Sequence, residues 1–369
     1  MIDRTGLLSL FEKLISIDSP SFGERQMGDF VASQLRDLGI PVSEDAAAAK
    51  IGGNCGNLHA FLNGSSDLPP LLFCAHLDTV EPSRGKRMQI QNGVITSAGD
   101  TVLGADDCAG IASILAAAGA LQKSGRDHRP IELLFTVAEE PYCRGARELD
   151  FTRIRSEEAY VFDLSGPVGE AADRAPAILS FRAVFIGRTA HAGFEPENGI
   201  HAVQAAAHAA ASIPCGRIGG STVNIGTISG GTADNIVPDC CTLTGEIRSD
   251  SNGEALRLLA DVTDRVKKGA AAYGAKAEIT HTLHIAAYRT DPQSPVAARF
   301  LSACERLGLS GCIHGTFGGS DNNVFAQHGI RGLVVATAMN QCHSVSEYTT
   351  EAELLRSASL ALELMRSKE

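Results

Sequence analysis

The sequence predicts an α/β protein, a helix-covered sheet interrupted by a smaller α+β unit. Three observations carry that prediction. In the first part, strand-length runs are apolar throughout rather than alternating, and helical segments separate them. Near residue 178 the pattern changes to apolar–polar alternation, the mark of a sheet with one wet face. After residue 288 the first pattern returns, so the middle stretch reads as an insertion. The first domain is therefore expected to be discontinuous, 1–177 and 288–369, around an inserted unit of 178–287.

The elements follow in order. Segments 7–17 and 25–38 have helical spacing, and Gly39 stops the second. Leu71-Leu72-Phe73-Cys74-Ala75 is a buried strand behind Pro69-Pro70, and Ile131-Glu132-Leu133-Leu134-Phe135-Thr136-Val137 is another. Between them, 109–123 is a helix of small residues that ends near Gly125. Ala159-Tyr160-Val161-Phe162 is a third buried strand. The middle unit offers strands at 179–182, 223–228, 241–247 and 279–285, with helices at 200–211 and 254–273. The last part adds a helix at 296–307, a buried strand at 332–336 and a helix at 350–365. Thr350-Glu351-Ala352-Glu353 predicts a capping box for that final helix.

Composition narrows the function. A chain of 369 residues suggests about two domains, and 44% hydrophobic with 20% charged residues fits a packed core. A net charge of −11 argues against nucleic acid as the main partner. Met1-Ile2-Asp3-Arg4-Thr5-Gly6 shows no basic leader ahead of an apolar run, and no stretch of about 18 apolar residues predicts a membrane span. The ten cysteines form no C-x-x-C pair, so they read as reduced thiols rather than a thiolate metal site. A cytoplasmic protein is expected.

The candidate chemistry lies near the ends of these strands. His76, in Ala75-His76-Leu77-Asp78, closes the first strand, where open α/β sheets gather ligands. It could bind a metal through one ring nitrogen while Asp78 accepts the other N–H and fixes the tautomer. Alone, an H-x-D is more often a histidine satisfying its own hydrogen bonds. Asp106 stands before the small-residue helix, where it could equally serve as a capping carboxylate. Glu139-Glu140 ends the second strand, and adjacent carboxylates repel unless a cation or proton sits between them or they line a solvated turn. Asp163 follows the third strand and His343 follows the last. One sheet would bring these residues side by side, and imidazole with carboxylate is a ligand set that suits zinc. The charges balance as well. Asp106, Glu140 and Asp163 with one bridging hydroxide offset two dications, whereas a lone cation leaves a negative cluster that is costly to bury.

Several blocks resemble the co-catalytic zinc peptidases, a family that includes peptidase T, aminoacylases and glutamate-releasing carboxypeptidases. They run from Ser16-Ile17-Asp18-Ser19-Pro20-Ser21 through Ala75-His76-Leu77-Asp78-Thr79-Val80, Gly104-Ala105-Asp106-Asp107, Glu139-Glu140 and Asp163-Leu164-Ser165-Gly166-Pro167-Val168-Gly169. Ala190-His191-Ala192-Gly193, Gly318-Gly319-Ser320-Asp321 and His343-Ser344-Val345-Ser346-Glu347-Tyr348 complete the series. The peptidase T-like branch is the most similar. The resemblance implies a mixed, helix-covered sheet with an inserted lid domain that also makes a homodimer. It implies that Asp106 bridges two zinc ions, that His76 and Asp163 hold one, and that Glu140 and His343 hold the other. Cobalt or manganese would suit the same ligands. It further implies that Asp78 backs His76, that Glu139 is the general base, and that His191, Asn235 and Arg248 lie near a small peptide substrate. His201, His208, His281, His284, His314 and His328 read as surface or packing residues.

Two positions depart from the branch. Cys108 stands where a basic residue is common, and Pro141-Tyr142-Cys143-Arg144 replaces a glycine-containing turn. The expected reaction is hydrolysis of an amide bond in a small peptide, most simply by a tripeptide aminopeptidase. A carboxypeptidase or N-acyl amino acid deacylase would use the same metals, with Arg248 receiving the free carboxylate. A two-metal phosphoesterase, with Arg144 and Arg147 near the site, and a non-catalytic peptide binder complete the alternatives.

Overall fold

A computed structural model describes residues 1–64, 67–125 and 127–366. The chain divides into two compact units. One comprises Met1–Arg174, Arg289–Thr316 and Ser320–Glu369, and the other Ala175–Tyr288 with Phe317–Gly319.

The first unit is built on a mixed sheet. Its centre is four neighbouring parallel strands, in the order Ile131–Thr136, Leu71–His76, Glu158–Ser165 and Arg331–Met339. Antiparallel strands flank them, Leu58–Leu62 on one side and Glu170–Ala175 on the other. Every residue of Leu71–His76 and Ile131–Thr136 is buried, which explains why these runs are apolar on both faces. The helices Arg4–Ile15, Ala105–Ser124 and Glu351–Arg366 belong to the same core, through Phe11, Leu14, Ile111, Ile114, Leu354 and Leu364. A separate hairpin, Met88–Gln91 and Val94–Ser97, turns on Asn92-Gly93, both with positive φ.

The helix Ala105–Ser124 starts four residues ahead of its expected position. Its first turn includes Asp106 and Asp107, whose backbones are not helical. Gly125 ends it in the left-handed conformation, as its sequence implies. Thr350 caps the last helix by accepting from Glu353 N, but the expected reciprocal half is absent, because the Glu353 carboxylate accepts from Val168 N instead.

The second unit is an antiparallel sheet covered by two helices. Its strand order is Gly216–Ile218, Ser221–Gly230, Cys240–Ser249, Ala177–Ile186 and Lys276–Ile285. The helices Ala202–Ser212 and Asn252–Ala272 close its core, with Leu179, Phe181, Phe185, Leu243, Ile247 and Val262 inside. The alternation along Ala177–Ile186 follows from having one covered face.

Candidate metal centre

The four parallel strands run the same way, so their carboxyl ends lie along one edge of the sheet. His76 is the last residue of its strand. Glu139 and Glu140 follow the strand Ile131–Thr136, Asp163 lies near the end of the strand Glu158–Ser165, and His343 follows Arg331–Met339. Asp106 arrives from the start of the helix Ala105–Ser124.

Asp78 organises one side of the group. Its Oδ1 lies 3.3 Å from His76 Nδ1, which is also 3.0 Å from the Asp78 carbonyl oxygen. The same carboxylate accepts from Glu139 N at 2.9 Å, from Glu140 N at 3.2 Å and from Ser21 Oγ at 2.7 Å. A neutral His76 with its Nδ1 proton held here keeps the Nε2 lone pair for a cation. That Nε2 lies 3.0 Å from Asp106 Oδ1 and 3.8 Å from Asp163 Oδ1.

Asp106 faces both ways. While Oδ1 meets His76, Oδ2 lies 3.2 Å from His343 Nε2, and that nitrogen lies 3.0 Å from Glu140 Oε2. All five expected ligands thus come together, with Asp106 between two imidazoles. Ligand atoms of His76, Asp106 and Glu140 lie within 4.8 Å of one another, as do those of His76, Asp107 and Asp163. Glu140 Oε1 is buried without a hydrogen-bond partner, although a buried carboxylate oxygen ordinarily finds a donor. An oxygen left in that state, within a set of imidazoles and carboxylates, fits a metal ion.

The electrostatics agree. Burial drives the Asp163, Glu139 and Asp107 carboxyls well above the ordinary carboxylate range, and neighbouring acids push the same way. Burial raises Glu140 as well. Burial opposes charge on His76, yet its contacts with Asp106 and Asp78 outweigh that and hold its pKa well above the usual value. His343, hydrogen-bonded to Asp106 and Glu140, rises to about 11. Asp106 and Asp78 end low despite burial because imidazoles face them. So many acids in one buried place require positive charge, which protons or bound cations can supply.

Four further acids escaped the sequence reading. Asp107 accepts from His76 N at 3.2 Å and Gly110 N at 3.0 Å, tying the helix start to the strand end. Glu347 accepts from Gly104 N at 2.6 Å and Asp106 N at 2.9 Å, and burial pushes its carboxyl up to about 7. Glu24 accepts from Ala138 N at 3.0 Å and is likewise raised by burial, to about 7. Asp321 lies under Thr136, which donates to its Oδ2. Asp107, Glu347 and Asp321 each stand inside a quoted block, so their signal was present. Glu24 had none, since an acid between Gly23 and Arg25 reads as solvated. Cys108 is buried in the core, and burial raises its thiol to about 12.

The remaining expected residues belong to the second unit. His191 is exposed, and its Nδ1 accepts from Gly193 N at 3.1 Å and Phe194 N at 3.2 Å. A neutral ring held that way carries its proton on Nε2. Asn235 lies close to it in the fold, since its carbonyl accepts from Ala192 N at 3.0 Å. Arg248 is engaged, with Nε 2.7 Å from Glu246 Oε1 and Nη1 2.8 Å from the Phe317 carbonyl.

Comparison with known proteins completes the picture. Residues 57–167 match the profile of peptidase family M28, and residues 176–274 match that of the peptidase dimerisation domain. The Bacillus subtilis protein YqjE is 33% identical over 366 residues, spanning 99% of both chains. The aminopeptidase PepT structure from Bacillus cereus superposes with a TM-score of 0.93 at 34% identity, over 99% of this chain and 98% of that one. A tripeptidase structure from Staphylococcus aureus gives 0.96 at 31%, with the same coverage. Likeness of this extent, in sequence and in fold at once, places the chain in the peptidase T-like branch of the co-catalytic metallopeptidases.

Proposed function

We propose that the protein is a two-zinc aminopeptidase acting on small peptides, tripeptides foremost. The observation that carries this reading is Asp106, whose two oxygens face two different histidines. A carboxylate so placed is suited to bridge two cations, His76 and Asp163 holding one and Glu140 and His343 the other. Bound there, the metals supply a Lewis acid for the scissile carbonyl and bring the pKa of a water down to about 7. Cobalt or manganese would serve the same ligands.

The chain's own groups do the rest. Glu139, buried beside the ligands, receives a proton from the attacking water and returns it to the leaving amine. Asp78 positions that step by binding the Glu139 and Glu140 amides and by orienting His76. His191 offers its Nε2 proton to the substrate's carbonyl oxygen, and such a donor is typically worth about 3–4 kcal/mol of barrier. Asn235 and the lid turn around it hold the peptide. Arg248 is matched by Glu246, which leaves it less suited to a substrate carboxylate and favours the aminopeptidase over the carboxypeptidase or deacylase.

The second unit supplies the lid and the homodimer contact, a reading supported by its match to the peptidase dimerisation domain. All ten thiols are free, which supports a reducing, cytoplasmic setting. No helix among the described residues is long and apolar enough to cross a membrane.

The test compares a tripeptide with its N-acetylated form, using zinc-loaded protein and mass spectrometry of the products. Release of the amino-terminal residue, abolished by acetylation, is expected. Equal or faster cleavage of the acetylated peptide would transfer the assignment to a deacylase or carboxypeptidase.

A further inference from the structure

Behind the ligand cluster lies a second group of metal-competent side chains, one of them a thiol. Glu139, Cys143 and Asp321 are all buried, and one ligand atom from each lies within 4.8 Å of the others. Cys143 Sγ is 3.4 Å from Glu139 Oε1. In a tetrahedral zinc site, with bonds of about 2.3 Å to sulfur and about 2.0 Å to oxygen, such atoms stand about 3.5 Å apart. The Cys143–Glu139 spacing therefore already suits a shared ion, and Asp321 lies within reach of both.

The local sequence explains the placement. The turn 139–143 folds back on itself, with Cys143 N donating to the Glu139 carbonyl, and Tyr142 and Cys143 both adopt positive φ. Asp321 begins the helix Asp321–Gln327 and is 1% exposed. Its Oδ2 receives Thr136 Oγ1 and lies 3.9 Å from Cys74 Sγ. Its Oδ1 is buried with no donor in full hydrogen-bond geometry, the Cys143 thiol being the group beside the carboxyl that eases its charge. A carboxylate oxygen in that state is costly to bury unless something positive meets it.

We propose that Glu139, Cys143 and Asp321 form a third, inhibitory metal site, which takes Zn2+ or Co2+ once the catalytic pair is filled. The ion bonds to the Cys143 sulfur as the thiol proton leaves to solvent, and to one oxygen each of Glu139 and Asp321. No electron changes hands. The thiolate selects borderline-soft cations, so Mg2+ and Ca2+ do not compete. While the ion is bound, one Glu139 oxygen is coordinated and the charge on the carboxylate is neutralised, so it becomes a much weaker acceptor for the water's proton. The inhibition rests on Glu139 being the base, but the binding does not.

The experiment uses the whole protein loaded with two equivalents of Co2+ and titrated with more. The five ligands of the catalytic pair contain no sulfur, so a thiolate-to-cobalt charge-transfer band reports thiol binding alone. The expected result is such a band on further addition, absent from Cys143→Ala, with tripeptide hydrolysis falling about 10²–10⁴-fold in step with it. Asp321→Asn should weaken that extra binding by about 10–100-fold. Each variant is normalised to its own rate at two equivalents. Excess Zn2+ should inhibit the wild type in the same way, and excess Mg2+ should not. Absence of any Cys143-dependent band overturns the site. A band accompanied by undiminished hydrolysis overturns its inhibitory role. Failure of the proposed mechanism is seen separately, in Glu139→Gln enzyme carrying two metals alone.

Discussion

Two residues of the cluster make the sharpest predictions. Glu139→Gln removes the proposed proton acceptor but leaves the proposed ligands, so metal content should stay at the wild-type value while turnover falls about 10²–10⁴-fold. Elemental analysis beside steady-state kinetics decides it, and normal turnover would dismiss Glu139 as the base. Asp78→Asn keeps the shape but weakens the anchor for His76 Nδ1 and for the amides of Glu139 and Glu140. Metal affinity should drop about 10–100-fold, measured by competition with a coloured chelator. At this scale the sequence was informative where side-chain type itself is the message. His76, Asp106, Glu140, Asp163 and His343 each had an ordinary use alone, and could be named only because one sheet gathers them and their blocks resemble those of the zinc peptidases. Glu24 could not. It acts by receiving the backbone amide of Ala138, and no residue type announces which amides a fold will aim at it.

Among the elements, the start of the helix Ala105–Ser124 is the most tightly constrained. A Cβ on Gly110 would come within 2.3 Å of Asp107 Oδ1 and 2.4 Å of the Phe162 carbonyl. Gly110→Ala should therefore cost about 1–3 kcal/mol of overpacking and displace Asp106 with the helix end. Urea unfolding and metal content, measured together, test both halves, and an unchanged midpoint would show the backbone can yield there. The buried strands were legible because a strand covered on both faces must be apolar throughout. The helix start was not, since Asp106 and Asp107 lie in non-helical geometry and break the periodicity that marks a helix. The hairpin on Asn92-Gly93 went unread although its turn dipeptide was visible. Its first strand is largely exposed and its second buries only Ile95 and Ser97, so apolar patterning gave little support.

For the molecule as a whole, the acids around the cluster fix how stability responds to pH. Without metal, Asp163, Glu139, Glu140 and Asp107 titrate above their ordinary values of 3.8 and 4.5, and His76 and His343 above 6.5. The folded chain then binds more protons than the unfolded one, so its stability falls as pH rises through those raised values. Asp106 and Asp78, shifted the other way, have delivered their contribution before pH 6. Chelated protein should accordingly melt at a lower temperature at pH 8 than at pH 6. Zinc should restore the difference and protect most at the higher pH. Parallel pH profiles with and without zinc in scanning calorimetry would contradict this. Chelation should leave the sedimenting mass at twice that of the chain, because the proposed dimer contact lies in the second unit and the ligands in the first.

The order of the proposed ligands along the chain has a consequence for biosynthesis. His76, Asp106, Glu140 and Asp163 are all made well before His343. A chain cut short ahead of His343 would keep those four and lack the imidazole that meets both Asp106 and Glu140. On the proposed reading, such a fragment could hold the first metal but would leave the second position open.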